Sequence, residues 1–240
     1  DLFVRSGRGV TATPRALELK PRIVDAVAAI QALYSESARL DLGHVHRRLT
    51  IAATDYFESL LLPKFLPHVA AVAPGIQIVM RPTLGSLPKR ELESGEMDLG
   101  VAGFFGELPE GFYRQPIMHE GYACLVRKSH PALRSKWSLE SYLTHLHVLV
   151  SPQGDLDGVV DRALAAMRRK RRVVAGVATF HSIAVIVAES DLVATLPKRI
   201  AASLARHYDL ECLATPIKVP EFTIYQVWHE RTHRDPVCQW

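Results

Sequence analysis

From Arg48 onward, short apolar runs alternate with amphipathic stretches, and few folds accommodate that order. Leu49-Thr50-Ile51-Ala52-Ala53 reads as a buried strand, and Thr54 or Asp55 can N-cap the helix that follows. Pro74-Gly75 ends that helix. Ile76 to Met80 is a second strand, Leu87 to Glu93 a short helix, and Met97 to Ala102 a third strand closed by Gly103. This βαβαβ order predicts a parallel sheet covered by helices. A fourth strand, Tyr122 to Arg127, leads away through His130-Pro131.

The pattern then restarts. His147 to Val150 is a strand, and Leu156 to Met167 a helix with Leu156, Val159, Val160, Ala163, Leu164 and Met167 on one face. Val173 to Ala178 is a strand, Ser182 to Glu189 a helix, and Leu192 to Thr195 a strand stopped by Pro197. A helix over Arg199 to Tyr208 and a strand near Leu213 complete the unit. Phe222 to Trp228 alternates strictly, as a half-buried strand does. Two α/β units of similar size, joined by crossing strands, predict a cleft that suits a small ligand.

The N-terminal segment is different. Ser6-Gly7-Arg8-Gly9 is a turn between Leu2-Phe3-Val4 and Val10, and Thr13 can cap a helix with Pro14 at its first position. Apolar residues then recur at Ile23, Val27, Ile30 and Tyr34, a narrow seam suited to pairing with a second helix. Pro21 is expected to kink or restart this helix. The polar stretch Asp41 to Arg48 reads as a linker.

Composition narrows the function class. The chain is 48% hydrophobic and 22% charged, as globular domains are. The longest apolar run noted, Ile183 to Ala188, is far below the ~20 residues that span a bilayer. Cys124, Cys212 and Cys238 match no metal spacing and suit a reducing cytoplasm. The formal charge is +4. Residues 1–48 hold eight Lys/Arg against five Asp/Glu, so almost all of that surplus is N-terminal. No Walker loop, dinucleotide fingerprint or G-x-S-x-G motif occurs, so the sequence recommends no enzyme, catalytic residue, metal or cofactor.

Three other signals carry less than they suggest. His229-Glu230-Arg231-Thr232-His233 matches H-E-x-x-H, but a strand runs up to Trp228 and Pro236 follows closely, leaving at best one or two helical turns. Arg168-Arg169-Lys170-Arg171-Arg172 reads as a solvated helix end or an inter-subunit contact. His44/His46 and His145/His147 offer two ligands each without a third. In the second pair one imidazole should face inward and the other outward.

Several segments together resemble LysR-type transcriptional regulators. Leu2-Phe3-Val4-Arg5-Ser6-Gly7-Arg8-Gly9-Val10-Thr11 is similar to the wing and linker start of that family. Gly95-Glu96-Met97-Asp98-Leu99-Gly100-Val101 is similar to its passage from short helix to strand. Ser190-Asp191-Leu192-Val193-Ala194-Thr195-Leu196-Pro197 resembles its late strand ending in proline. Thr11-Ala12-Thr13-Pro14-Arg15-Ala16 and the Trp228-His229 to Asp235-Pro236 ending look most like the nodulation and aromatic-catabolism branch.

The resemblance implies an α/β fold with two Rossmann-like lobes, as in type 2 periplasmic binding proteins, preceded by a linker helix. Residues 1–12 would be the remnant of a winged helix-turn-helix wing, and 13–45 the linker and dimerisation helix (Ile23, Val27, Ile30, Tyr34). Residues 46–126 with 217–240 would form lobe I, and 127–216 lobe II. The implied partners are a small-molecule effector, a second copy of the chain (dimer or tetramer), and promoter DNA through a winged helix-turn-helix missing from these residues. No membrane is implied. Carried over by position, the effector-binding residues are Thr54, Asp55, Thr83, Gly103, Phe104, Ser151, Gln153, Thr179, Phe180 and His181. Gln153 and Thr179 stand where this branch commonly has histidine. Helix N-termini would hold a carboxylate, and Phe104 and Phe180 would cover a ring, which suits an aromatic or carboxylated effector. Asp55 would oppose an anion unless it caps its own helix. The rival expectation is a type 2 periplasmic-type protein for solute uptake.

Overall fold

The computed structural model describes residues 1–7, 9–35, 40–83, 86–103 and 106–240, with the side chains of 32–35 excepted. The chain divides into two units, Asp1–Asp41 and Leu42–Trp240.

In the first unit, β1 (Phe3–Ser6) and β2 (Gly9–Ala12) pair antiparallel around Gly7, whose φ of 58° suits the turn. Helix α1 (Pro14–Ser35) follows. The Thr13 hydroxyl accepts the Ala16 N–H at 3.3 Å and caps it. The expected restart at Pro21 does not occur, because α1 runs through it as one helix. Within this unit Ala16 is buried, whereas Ile23, Val27 and Ile30 are exposed. The Tyr34 side chain lies outside the described residues.

The second unit holds two five-stranded sheets. The first combines β3 (Arg47–Ala53), β4 (Ile76–Pro82), β5 (Leu99–Ala102), β6 (Phe112–Glu120) and β12 (Phe222–His229) in the order β4-β3-β5-β12-β6. Strands β4, β3 and β5 are parallel, whereas β12 runs antiparallel to both β5 and β6. The single helix expected after β3 is two, α2 (Asp55–Leu60) and α3 (Leu62–Val72), and α4 (Lys89–Ser94) follows β4.

The second sheet contains β7 (Tyr122–Arg127), β8 (Leu146–Val150), β9 (Arg172–Val177), β10 (Leu192–Pro197) and β11 (Leu210–Ala214), ordered β11-β7-β10-β8-β9. Its helices are α5 (Leu139–Thr144), α6 (Val159–Ala166), α7 (Phe180–Ala188) and α8 (Lys198–His207). The chain ends with α9 (Glu230–His233) and α10 (Pro236–Gln239).

Three readings are corrected here. Strand β7 pairs with β10 and β11, so the second sheet begins at Tyr122 rather than after residue 126. Strand β6 was not foreseen. Helix α6 starts at Val159, and Leu156 is exposed rather than on its apolar face.

The first sheet takes one strand from far along the chain, whereas the second is built from the consecutive strands β7 to β11. Strand β12 returns to the first sheet and is tied there by Arg47, whose guanidinium meets Asp98 at 3.3 Å and Asp235 at 2.6 Å. Asp235 also caps α10, accepting from Val237 N and Cys238 N. One continuous apolar cluster joins Ile51, Tyr56 and Phe57 beside the first sheet to Ile183, Val187 and Ile200 beside the second.

Candidate effector site between the two sheets

Parallel strands end where a β-strand hands over to a helix, and helix N-termini leave backbone N–H groups without intrahelical acceptors. In the first sheet, Ala53 lies opposite Pro82 and Val101. The residues just beyond, Thr54, Thr83 and Gly103, therefore share one edge. Thr83 is buried, with its N–H bonded to Ala53 O and its hydroxyl donating to Ser86 O. A Cβ on Gly103 would stand 2.5 Å from the Phe222 ring, so any larger residue there would have to displace that ring. Phe104 lies outside the described residues. In the second sheet, Ser151 N donates to Val177 O at 2.7 Å, setting Ser151 beside the β9–α7 turn that carries Thr179. Gln153 is exposed two residues on.

Thr179 caps α7 itself, its hydroxyl accepting from Ser182 N at 3.2 Å. The remaining α7 donors are met from the other sheet. Asp55 Oδ2 accepts from Phe180 N at 2.6 Å and His181 N at 3.4 Å. Thr54 holds the N-cap position of α2 without a side-chain bond, and the Asp55 carboxylate, in the first turn of α2 beside its own N–H, reaches across to α7. The Phe180 ring meets Tyr56 edge-on at 6.2 Å. His181 turns to Tyr208, its Nε2 2.6 Å from the hydroxyl.

The Asp55 contact is shaped by opposing electrostatic effects. Burial pushes the Asp55 carboxyl above its usual range, and the backbone N–H groups of Phe180, His181 and Asp55 itself, with the His181 ring, pull it back only in part.

A second bridge was missed by sequence reasoning. The Glu120 carboxylate is buried at the β6–β7 junction, accepting from Gly121 N, the Tyr56 hydroxyl and Arg199. Arg199, on α8, also donates to His119 O at 2.7 Å. Burial and the adjoining carboxylate push the Tyr56 phenol well above its ordinary value, so it remains a donor. No alternation or spacing marks Glu120, since its role depends on two helices meeting at the junction.

The other histidines are engaged elsewhere. His229 accepts the Arg231 N–H, and His233 stacks on Tyr113 at 4.1 Å while accepting from Trp228 Nε1. The basic run follows the end of α6, where the Arg168 and Arg169 N–H groups donate to Ala165 O and Leu164 O, and four of its residues are exposed as expected, whereas Arg171 is buried.

Residues 42–240 match the LysR substrate binding domain. The chain belongs to the LysR family of transcriptional regulators. It is 34% identical to the HTH-type transcriptional activator NagR of a Ralstonia species, over all of this chain and 79% of that protein. A probable transcriptional regulator from Pseudomonas aeruginosa superposes on the whole chain with a TM-score of 0.77, at 28% identity and 79% coverage of its own length. The regulatory domain of MexT, a transcriptional activator in Pseudomonas aeruginosa, gives 0.71 at 31% identity, covering 80% of this chain and 93% of that domain. The two-lobed fold of type 2 periplasmic binding proteins is thus the regulatory domain of a LysR regulator, serving effector sensing rather than solute uptake. No helix among the described residues is long and apolar enough to cross a membrane.

Proposed function

We propose that this LysR regulator senses a small carboxylated, most simply aromatic, effector between its lobes, and that the effector competes with Asp55 for the N-terminus of α7. The observation that carries this reading is the carboxylate already seated there. Two N–H groups and the positive end of a helix dipole form a site for a carboxylate, and Asp55 fills it from the opposite lobe. An effector carboxylate taking that place would release Asp55 to water, with Thr54, Thr83, Ser151, Gln153 and Thr179 along the two facing edges to orient it. The ligand shifts the lobes only as far as its affinity differs between the closed and parted arrangements.

Asp55→Ala tests this directly. It removes hydrogen bonds to a charged acceptor, which contribute about 1.5–3 kcal/mol when well formed and less at a half-buried site. The lobes should part, increasing the radius of gyration in small-angle X-ray scattering, and benzoate-type acids should bind at least about tenfold tighter in calorimetry. Asp55→Asn keeps an acceptor and should stay closed. Unchanged affinity in Asp55→Ala would sink the competition reading.

In this reading residues 1–12 end a winged helix-turn-helix wing that reaches promoter DNA, residues 13–45 are a linker, and the regulator works in the cytoplasm without catalysing a reaction. The lobes divide as 46–126 with 217–240 and 127–216, adjusted so that β7 joins the second. What supports pairing through α1 is its exposed apolar seam of Ile23, Val27 and Ile30. Val27→Glu should convert the dimer or tetramer to monomers in light scattering, and an unchanged mass would exclude this seam.

A further inference from the structure

The first covalent crossing between the two sheets runs from the end of β6 at Glu120 to the start of β7 at Tyr122. The acid at this crossing is 2% exposed, and both of its oxygens are engaged. Oε1 accepts the Gly121 N–H at 3.0 Å. Oε2 accepts two donors, the Tyr56 hydroxyl and Arg199 Nη1, the latter at 3.4 Å. Tyr56 stands on α2, which follows the first strand of the first sheet, whereas Arg199 stands in the first turn of α8, beside the second sheet. One oxygen is therefore shared by donors from opposite lobes. The backbone fastens α8 to the same point, since Lys198 N donates to Gly121 O at 2.8 Å and Arg199 also donates to His119 O at 2.7 Å. Tyr56 and Ile200, the neighbour of Arg199, lie in the apolar cluster that spans both sheets, so these donors have little access to water as a substitute.

We infer that Glu120 is the pivot of the two lobes, and that Tyr56 and Arg199 are positioning residues that fix the angle between α2 and α8. A buried carboxylate adds little stability over an apolar residue of similar size, but its lone pairs dictate the directions from which donors arrive. Placed on the covalent crossing, such a group lies close to any axis about which the lobes can turn. Asp55 and Tyr56 are consecutive, about 100° apart around α2, so one helical turn carries both the contact to α7 and the contact to the crossing. The Phe180 ring, edge-on to Tyr56, completes the connection. When Asp55 leaves α7, the lobes turn about Glu120 while Tyr56 and Arg199 keep their bonds to it. This inference rests on the effector reading only in naming Asp55 as the contact that yields.

Amide hydrogen exchange in the whole chain, followed by NMR, tests the pivot. Tyr56→Phe keeps the ring against Phe180 and removes only the donor to Glu120. Exchange at Phe180, whose N–H bonds to Asp55 and not to the pivot, should quicken about tenfold, as should exchange at Gly121. Ala52 and Val148, in the two sheet interiors, should be unaffected. Arg199→Met should act alike, and Arg199→Lys, which keeps a cationic donor, should stay near the starting rate. The double variant Tyr56→Phe/Arg199→Met should exchange no faster than the faster single one, because losing either end already breaks a shared link. Asp55→Ala should quicken Phe180 without quickening Gly121. The pivot is overturned if Phe180 is indifferent to both single variants, if the two effects multiply in the double variant, or if Ala52 and Val148 quicken equally. It is also overturned if Gly121 quickens as much as Phe180 in Asp55→Ala. Benzoate affinity unchanged in Asp55→Ala would remove the competition reading and leave the pivot standing, whereas a Phe180 response to Asp55→Ala alone would do the reverse.

Discussion

Arg171→Met is expected to cost about 3–5 kcal/mol of stability, the usual penalty for leaving one member of a buried ion pair alone. The Arg171 side chain is only 2% exposed, and its guanidinium grips Asp161 by two bonds, Nε to Oδ1 at 2.8 Å and Nη2 to Oδ2 at 2.7 Å. Its Nη1 donates to the Tyr142 hydroxyl at 3.0 Å, and that hydroxyl is 2.9 Å from Thr195 Oγ1. One cation therefore joins the start of β9, the first turn of α6, α5 and β10. Asp161 also accepts Gly158 N at 2.9 Å, closing the α6 N-terminus. The paired carboxyl is held below its usual range by Arg171, which outweighs the opposing effect of burial. Removing the cation strands this carboxylate in a site built for a charge pair. The double variant Arg171→Met/Asp161→Leu removes both charges and should recover all but about 1 kcal/mol, the remainder being the lost cap. Urea unfolding of the three proteins checks this. A loss below about 1 kcal/mol in the single variant would mean that water reaches the site.

The second large effect is a loss of stability in mild acid. His147 is fully buried on β8, and its Nε2 lies 2.9 Å from Tyr142 O, bonded as the donor. Its Nδ1 is buried without a partner among the described residues. Burial, and then the nearby Arg171 cation, push its pKa down from 6.5 to about 4. Above pH 6.5 the ring is neutral in both folded and unfolded chains, so nothing is lost. Between 6.5 and 4 the unfolded chain takes up a proton that the folded one refuses, and stability falls as pH falls. The full shift corresponds to about 3 kcal/mol, of which about 2 kcal/mol is lost between pH 7.5 and pH 5. His145, pushed down by burial and by His130, adds in the same direction. His147→Gln keeps a donor for Tyr142 O and does not titrate, so its urea midpoint should change far less over this range. Equal pH dependence in both proteins would remove His147 as the cause.

Most strands were legible because burial writes itself into sequence. Ile51-Ala52-Ala53, Val148-Leu149 and Val193-Ala194 are apolar on both faces, as central parallel strands must be, and they lie in the two sheet interiors. Strand β6 was hidden for the opposite reason. As an edge strand it is exposed along most of its length, and Pro116 interrupts it where the register with β12 shifts at Ile224/Tyr225. The assignment of β7 failed on another ground. Its run of buried residues is readable, but a strand's sequence does not say which sheet it joins.

The site divides the same way. The resemblance to the family grouped Thr54, Thr83 and Gly103, and Ser151 with Thr179, and parallel strand ends bring each group together. The chemistry at their centre could not. Asp55 and Phe180 are 125 residues apart, and neither residue type announces the other. Local rules favour an aspartate at the start of α2 for its own helix's sake, and that preference conceals its use as the cap of α7.

The sequence by itself determined two α/β units, a preceding amphipathic helix and the family, because periodicity, turn residues and motif order are local properties of the chain. Only the tertiary structure decided which charges meet: Asp55 with α7, Glu120 with Tyr56 and Arg199, and Arg171 with Asp161 inside a run that reads as solvated. Partner choice for a charge depends on distance and desolvation, and neither exists until the lobes have packed.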